Sequence, residues 1–239
     1  MGHHQKRLAA PRHWPVMRKA HKWIVKAAPG PHSKDRSIPL AVVLRDFLGL
    51  VETDREARRV LGAGDVLVDG KIVKDGKHGV GWFDIITIPR LKSSWRVLVD
   101  RRGKVSVDPV GDAEASWKLA RIENKTTIKG GLTQLNLHDG RNIVVVKDEY
   151  KTGDVLKIAV PSQEIQGRIP FKQGTLAYVT AGTHAGEVAT LDEVQVKRIS
   201  GENTVSLKRG DETIRTIRSY VFPIGTKKSE VTLPEGVAA

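Results

Sequence analysis

The chain has no cysteine, only two methionines, and aromatic residues at just 5% of the total. Without cysteine there can be no disulfide framework, no thiolate zinc site and no thiol nucleophile. No apolar run approaches the roughly 18 residues that a membrane-spanning helix needs. The amino terminus lacks the apolar stretch of a secretory signal, so a soluble, cytoplasmic protein is expected. Catalytic signatures are missing as well. Gly225-Thr226-Lys227-Lys228-Ser229 has the composition of a phosphate-binding loop, but no glycine stands five residues before Gly225 and the lysine follows a threonine. Gly79-Val80-Gly81 lacks the third glycine of a dinucleotide fingerprint, and no spacing of acidic residues suggests a carboxylate pair. His3, His4, His13, His21 and His32 match no usual metal-ligand spacing. The expectation is a protein without enzymatic activity, cofactor, metal or small-molecule substrate.

What the chain has instead is positive charge, unevenly placed. Of its net +13, residues 1–38 hold +8, from nine Lys/Arg against Asp35. The remaining 31 basic and 26 acidic residues leave +5. Such asymmetry points to an acidic polymer, and nucleic acid fits better than a membrane because no long amphipathic helix accompanies the charge. In residues 1–36, Pro11, Pro15, Pro29 and Pro31 break any long helix and leave room for one short helix from Val16 to Ala27. Lys6, Arg7, Arg12, Arg18, Lys19, Lys22, Lys34 and Arg36 are interleaved there with His13, Trp14 and Trp23. Two readings apply: a disordered tail, or an arm without a core of its own that orders against RNA through indole stacking and phosphate contacts.

The stretch Thr53–Lys71 is the most structured signal. Thr53 and Glu56 form a capping box, and Ala57, Val60 and Leu61 fall on one helix face with Arg55, Arg58 and Arg59 on the other. Gly62 and Gly64 are expected to stop the helix. Val66–Val68 and Lys71–Val73 then flank Asp69-Gly70 as a type I′ hairpin. Leu40, Val43, Leu44, Phe47 and Leu48 form the apolar stripe of a preceding helix, and Trp82–Ile86 reads as a core strand. Residues 37–90 carry eight basic and eight acidic side chains. Any affinity for RNA there must come from grouping Arg55, Arg58, Arg59, Lys71, Lys74 and Lys77 on one side. The competing reading is a solvated helix with pairs such as Asp54–Arg58.

Glu56-Ala57-Arg58, with Gly64, Val68, Asp69-Gly70 and Lys71, resembles the RNA-binding domain of bacterial small-subunit ribosomal protein four, a module shared with some pseudouridine synthases. The resemblance implies two short helices and a β-hairpin, with the second helix and the hairpin facing RNA. Bacterial members usually open the first helix with Arg-Leu-Asp, where this chain has Leu40-Ala41-Val42.

Beyond Trp95 the pattern turns β. Strands are predicted at Arg96–Val99, Lys104–Val107, Lys118–Ile122, Thr133–Leu137, Ile143–Val146 and Val155–Ile158, with turns at Gly130-Gly131, Asp139-Gly140 and Thr152-Gly153. Gln134–Asn142 is read either as an Asp-Gly hairpin or as a loop offering His138, Arg141 and Asn142 to RNA. Residues 171–199, with Leu176, Tyr178, Val179, Val188 and Leu191 around Gly174, Gly182 and Gly186, resemble a KOW motif, although Glu187 and Ala189 occupy slots that are commonly basic and glycine. A hairpin of Thr204–Leu207 with Glu212–Arg218 and a polar tail from Gly225 complete the chain.

The opening Lys6-Arg7-Leu8-Ala9-Ala10-Pro11-Arg12-His13-Trp14-Pro15-Val16, together with the order of parts, resembles the archaeal/eukaryotic (e-type) family of small ribosomal subunit protein four across essentially the whole chain. This implies an α+β, multi-domain fold, in which a helix–helix–β-hairpin RNA-binding domain precedes small β domains including an SH3-like KOW barrel. The expected parts are a basic arm (1–36), the helix–hairpin domain (37–90), a central β domain (91–170), the barrel (171–224) and the tail (225–239). The implied partners are small-subunit rRNA and neighbouring ribosomal proteins, with no membrane. The alternatives are a non-ribosomal RNA-binding regulator or a KOW-type elongation factor. An RNA-modifying enzyme would need a catalytic domain, and the segments after Pro89 read as small β units.

Overall fold

The computed structural model describes residues 4–197, 201–210 and 212–234. Most of its regular structure is β-strand, and the chain divides into two compact units. Met1–Leu98, Lys104–Lys118 and Val160–Ser162 bound the first; Val99–Gly103, Leu119–Ala159 and Gln163–Ala239 bound the second.

In the first unit a helical run, Leu40–Val42 continued by a wider turn over Val43–Phe47, and the helix Asp54–Ala63 share one core with a five-stranded sheet. The strand order in that sheet is Lys71–Ile72, Leu67–Val68, Ile85–Ile88, Ser93–Val99, Val105–Val110. Leu40, Val43 and Leu44 are buried as their spacing predicts, together with Ala57 and Leu61 from the second helix. Thr53 caps that helix. Its Oγ1 accepts the Glu56 N–H at 3.2 Å, and Glu56 Oε2 accepts the N–H groups of Glu52 and Thr53 at 2.9 and 3.4 Å. These backbone donors, Glu52 first, hold the Glu56 carboxyl below its ordinary value. Gly62 does not stop the helix, because one glycine near a helix end only lowers propensity; Gly64, at φ +81°, ends it.

Asp69 (φ +48°) and Gly70 (φ +68°) form the expected type I′ turn. A Cβ on Gly70 would stand 3.1 Å from both Val160 Cγ1 and Pro161 Cβ, so the position needs glycine for backbone and for space. Gly70→Val is therefore expected to cost about 1–3 kcal/mol, read as an earlier transition in a circular-dichroism melt without RNA. A melt that overlays the wild type would contradict this turn.

Four expectations are corrected in this unit. Trp82–Ile86 is not one strand: Phe83 turns to φ +67°, the strand starts at Ile85, and Gly79–Gly81 pairs separately with Ser37–Pro39. The predicted boundary between residues 90 and 91 cuts a sheet, since Ser93–Val99 pairs directly with Ile85–Ile88. Nor is the arm a coreless appendage, and the helix predicted over Val16–Ala27 is absent. Gln5–Lys6 pairs with Trp23–Ile24 instead, and Ala10, Trp14 and Ile24 lie in the same core as Ile38, Leu40 and Leu44. Trp14 is 1% exposed and donates its Nε1–H to the Ser37 carbonyl at 2.9 Å. An indole buries about 150–250 Å², or ~4–6 kcal/mol of transfer free energy. That offsets the ordering of only a few residues. The rest of the anchoring is polar: Arg18 donates to the carbonyls of Leu8, Ala10 and Pro11 at 3.1, 2.7 and 2.9 Å, and Arg7 Nε donates to the Met17 carbonyl at 2.6 Å.

Behind the hairpin lies a buried ionic cluster. Lys118 Nζ, fully inaccessible, stands 2.7 Å from Asp69 Oδ2 and 2.7 Å from Asp84 Oδ1. His32 Nε2 is 2.8 Å from Asp84 Oδ2, which also accepts the Gly81 N–H at 2.9 Å. Burial by itself would raise the Asp84 carboxyl, but the charges of His32 and Lys118 outweigh it and hold the group well below its ordinary value.

Two five-stranded sheets lie in the second unit, apart from Trp117 and Lys118 at the start of one strand. One runs Asn142–Val145, Thr133–Leu137, Trp117–Thr127, Val155–Ala159, Ile165–Ile169. The other runs Glu212–Ile217, Thr204–Arg209, Val188–Gln195, Leu176–Val179, Val221–Gly225. Ile165–Ile169 escaped the sequence reading because Gln166, Gly167 and Arg168 dilute its alternation. Val221–Gly225 is a wholly buried strand that the sequence reading missed. Within the polar tail expected from Gly225, Val231 is nevertheless buried and Lys157 meets Glu230 at 3.1 Å; residues 235–239 lie outside the described residues. A Cβ on Gly186 (φ +77°) would come within 2.4 Å of the Asp100 backbone, so this turn is packed against the chain.

Candidate nucleic-acid interface

The arm's short ribbon sets the geometry. Gln5 pairs with Ile24 and Lys6 with Trp23. Because successive strand side chains point to opposite faces, Ile24 enters the core and Trp23 turns outward, 51% exposed. Lys22 Nζ lies 5.4 Å from the Trp23 ring centroid and the His4 ring 5.8 Å from it. The segment Lys74–His78 is held rigidly opposite. Lys77 O accepts the Ala28 N–H at 2.8 Å, Gly76 O the Ala41 N–H at 3.0 Å, and Asp75 Oδ1 the Lys77 N–H at 2.9 Å.

Between them runs a groove of about 790 Å³. Its lining includes Trp23, Lys26, Arg45, Arg58, Lys74 and Lys77 against the carboxylates of Asp54 and Asp75. Five cations against two acids give a positive channel with an aromatic wall. The sequence-predicted Trp23, Arg58, Lys74 and Lys77 are thus brought together. Arg58 also pairs with Asp54 at 2.5 Å, an exposed contact that contributes little to stability. Arg55, Arg59 and Lys71 are exposed outside this lining, as are Lys6, Arg12, Lys19, Lys22 and Lys34. Lys26 and Arg45 were missed. Arg45 sits off the apolar stripe, which keeps it out of the core without showing what it faces; it is half-buried and pairs with Asp46 at 2.8 Å.

Several predicted contacts serve the fold instead. Arg7 is 4% exposed, with a 3.6 Å ion pair to Asp46, and Arg18 is spent on carbonyls. Trp14 cannot stack on a base. His13 is half-buried, with Nε2 3.4 Å from the Ser37 carbonyl. Burial outweighs that bond and lowers the imidazole below its ordinary value, which disfavours the charged form a phosphate would want. Arg36 stands 5.9 Å from the Trp82 ring centroid. In the second unit, His138 Nδ1 accepts the Arg121 N–H at 3.1 Å and its ring meets Phe222 edge-on at 5.4 Å. Arg141 Nε lies 3.4 Å from Asp139, and of the three contacts predicted there Asn142 is the exposed one. A polar stretch and an arginine-rich one look the same in sequence whether the acceptor is a phosphate or a backbone carbonyl.

Comparison with known proteins settles the family. The RS4NT domain matches residues 1–35, and the ribosomal family S4e matches residues 91–165. A small ribosomal subunit protein eS4 from Methanothermobacter thermautotrophicus is 45% identical over 98% of this chain and 96% of its own length. The chain belongs to the ribosomal S4e family. Another relative, from Archaeoglobus fulgidus, is 46% identical over 95% of both chains. The crystal structure of the 30S ribosomal protein S4e from Thermoplasma acidophilum is similar at a TM-score of 0.72 and 36% identity, covering 82% of this chain and all of that one. Membership makes this a structural ribosomal protein and not an enzyme. No helix among the described residues is long and apolar enough to cross a membrane.

Proposed function

We propose that this protein is a structural constituent of the small ribosomal subunit, where it binds small-subunit rRNA beside neighbouring ribosomal proteins and supports assembly and translation. The observation that carries the reading is the cationic groove in which arm, helix and hairpin segment converge. The first unit is then the RNA-facing helix–hairpin module, with the exposed arginine face of Asp54–Ala63 beside it, and the last five-stranded sheet is the KOW-type part. The packed Gly186 turn argues for a structural role of that sheet rather than contact with RNA.

Sedimentation of the full chain through a sucrose gradient tests this. The expected result is migration with 30S particles at low salt and release as salt rises; a protein that stays at the top of the gradient would overturn it. A quantitative companion uses the five exposed arm cations. Changing Lys6, Arg12, Lys19, Lys22 and Lys34 to Gln leaves the buried anchors in place, unlike deletion of the arm, which would remove Trp14 from the core. The slope of log K against log[salt] should flatten by about 0.7–0.9 for each phosphate that is no longer neutralised. An unchanged slope would mean that these cations touch no phosphate.

A further inference from the structure

We propose that the groove beside Trp23 is a pocket for one unpaired RNA base, stacked on the indole, with the flanking phosphates on Lys74, Lys77 and Arg58. This deepens the reading of the chain as an rRNA binder and rests on it. The chemistry of the walls points to a nucleotide rather than to a phosphate alone. Trp14, anchored in the same arm, is 1% exposed and hydrogen-bonded, whereas Trp23 is 51% exposed. Its strand pairing with Lys6 turns the indole out of the core rather than letting it collapse inward. Lys22 stands over the ring at 5.4 Å, and so adds a cation where a stacked base would bring its backbone.

The volume suits one base better than a paired helix. A groove of about 790 Å³ falls within the roughly 300–1,000 Å³ of sites that enclose a small molecule. A duplex keeps its bases stacked inside and would rest its backbone on the rim without reaching the indole. Single-stranded bases, splayed out and stacked on aromatic side chains, are the form in which proteins take up RNA bases. The segment opposite is pinned by the Ala28–Lys77 and Ala41–Gly76 hydrogen bonds at 2.8 and 3.0 Å, so the backbone that carries Lys77 is fixed in the groove wall. Asp54 and Asp75 on the same lining disfavour a groove that merely collects phosphate, and they offer acceptors to the amino edge of a base.

The test uses the full-length chain with two probes, a single-stranded RNA octamer of mixed sequence and a blunt RNA duplex containing it. Trp23→Ala should weaken binding of the single strand about tenfold or more, the loss of one base–aromatic stack. Trp23→Phe should recover most of it. The duplex affinity and the salt slope of either probe should not change, because no charge is removed. Since Trp23 is half exposed, the melt of the alanine variant should match the wild type, which separates a missing stack from a failure to fold. If Trp23→Ala binds the single strand as the wild type does, or weakens both probes equally, the base pocket is wrong while rRNA binding stands. If the wild type binds neither probe and does not sediment with 30S particles, the broader reading fails as well.

Discussion

Lys118→Met is expected to destabilise the first unit by about 3–5 kcal/mol near neutral pH. Methionine keeps the unbranched apolar stem, one atom shorter, and removes the charge. Lys118 Nζ is fully inaccessible and lies 2.7 Å from a carboxylate oxygen of both Asp69 and Asp84. Removing it leaves two buried carboxylates without their shared cation, with His32 still beside Asp84, and a buried charge that loses such a partner costs far more than the intact pair contributes. The damage reaches the hairpin, because Asp69 Oδ1 also accepts the Ile85 N–H at 3.0 Å and so ties the Asp69-Gly70 turn to the adjoining strand. The double variant Lys118→Met/Asp84→Asn should recover part of the stability, since one of the two anions is gone. A Lys118→Met melt within about 1 kcal/mol of the wild type would mean that the cluster is not closed to water.

The same cluster gives a pH dependence of known sign. The Asp84 carboxyl is depressed in the folded chain relative to an exposed one. Its contribution to stability is therefore fully present above the unfolded value of about 4 and is lost as the pH falls below that, towards the folded value. Acid unfolding of the wild type should begin in that window. In Asp84→Asn, stability should be lower at neutral pH and should vary less with pH in that window.

How much of this was legible in the sequence follows from the kind of interaction involved. Caps and tight turns were reliable. The Thr53–Glu56 capping box, the left-handed Asp69-Gly70 turn and the glycine turns at 130, 140 and 153 all act within a few residues, and each appears where the sequence placed it. The apolar stripes of the two helices were equally clear, because burial follows the helical repeat. What sequence could not show was the partner of a charged side chain. Arg7 and Arg18 have the composition of RNA contacts and serve as anchors for backbone carbonyls. Lys118 sat unremarked in a predicted strand, although it is the centre of a buried cluster assembled from residues 32, 69, 84 and 118. The strand Val221–Gly225 was missed because Pro223 and Gly225 weaken its pattern, and only pairing with Leu176–Val179 defines it. The groove suffered the same limit: its six principal wall residues come from four separate stretches of chain.

The arginine face of the Asp54–Ala63 helix carries the second large effect. Arg55, Arg58 and Arg59 are exposed while Ala57 and Leu61 are buried, so all three can be changed to Gln without touching the core or the capping box. Glutamine keeps helix propensity, and stability should move by less than about 1 kcal/mol. Affinity for RNA should fall much further, because charge-assisted guanidinium contacts are the strong ones and each specific contact is worth about 1–3 kcal/mol. A matched control changes Lys172, Lys227 and Lys228 to Gln, which removes the same net charge from exposed positions in the second unit. The deciding measurement is the affinity of the three proteins for small-subunit rRNA at about 150 mM salt, taken beside their thermal melts. A weakening of tenfold or more confined to the arginine variant, with all three melts alike, is the predicted result. Wild-type affinity in that variant, or an equal weakening in the control, would contradict the claim that this helix faces RNA and would leave the three arginines as solvated surface.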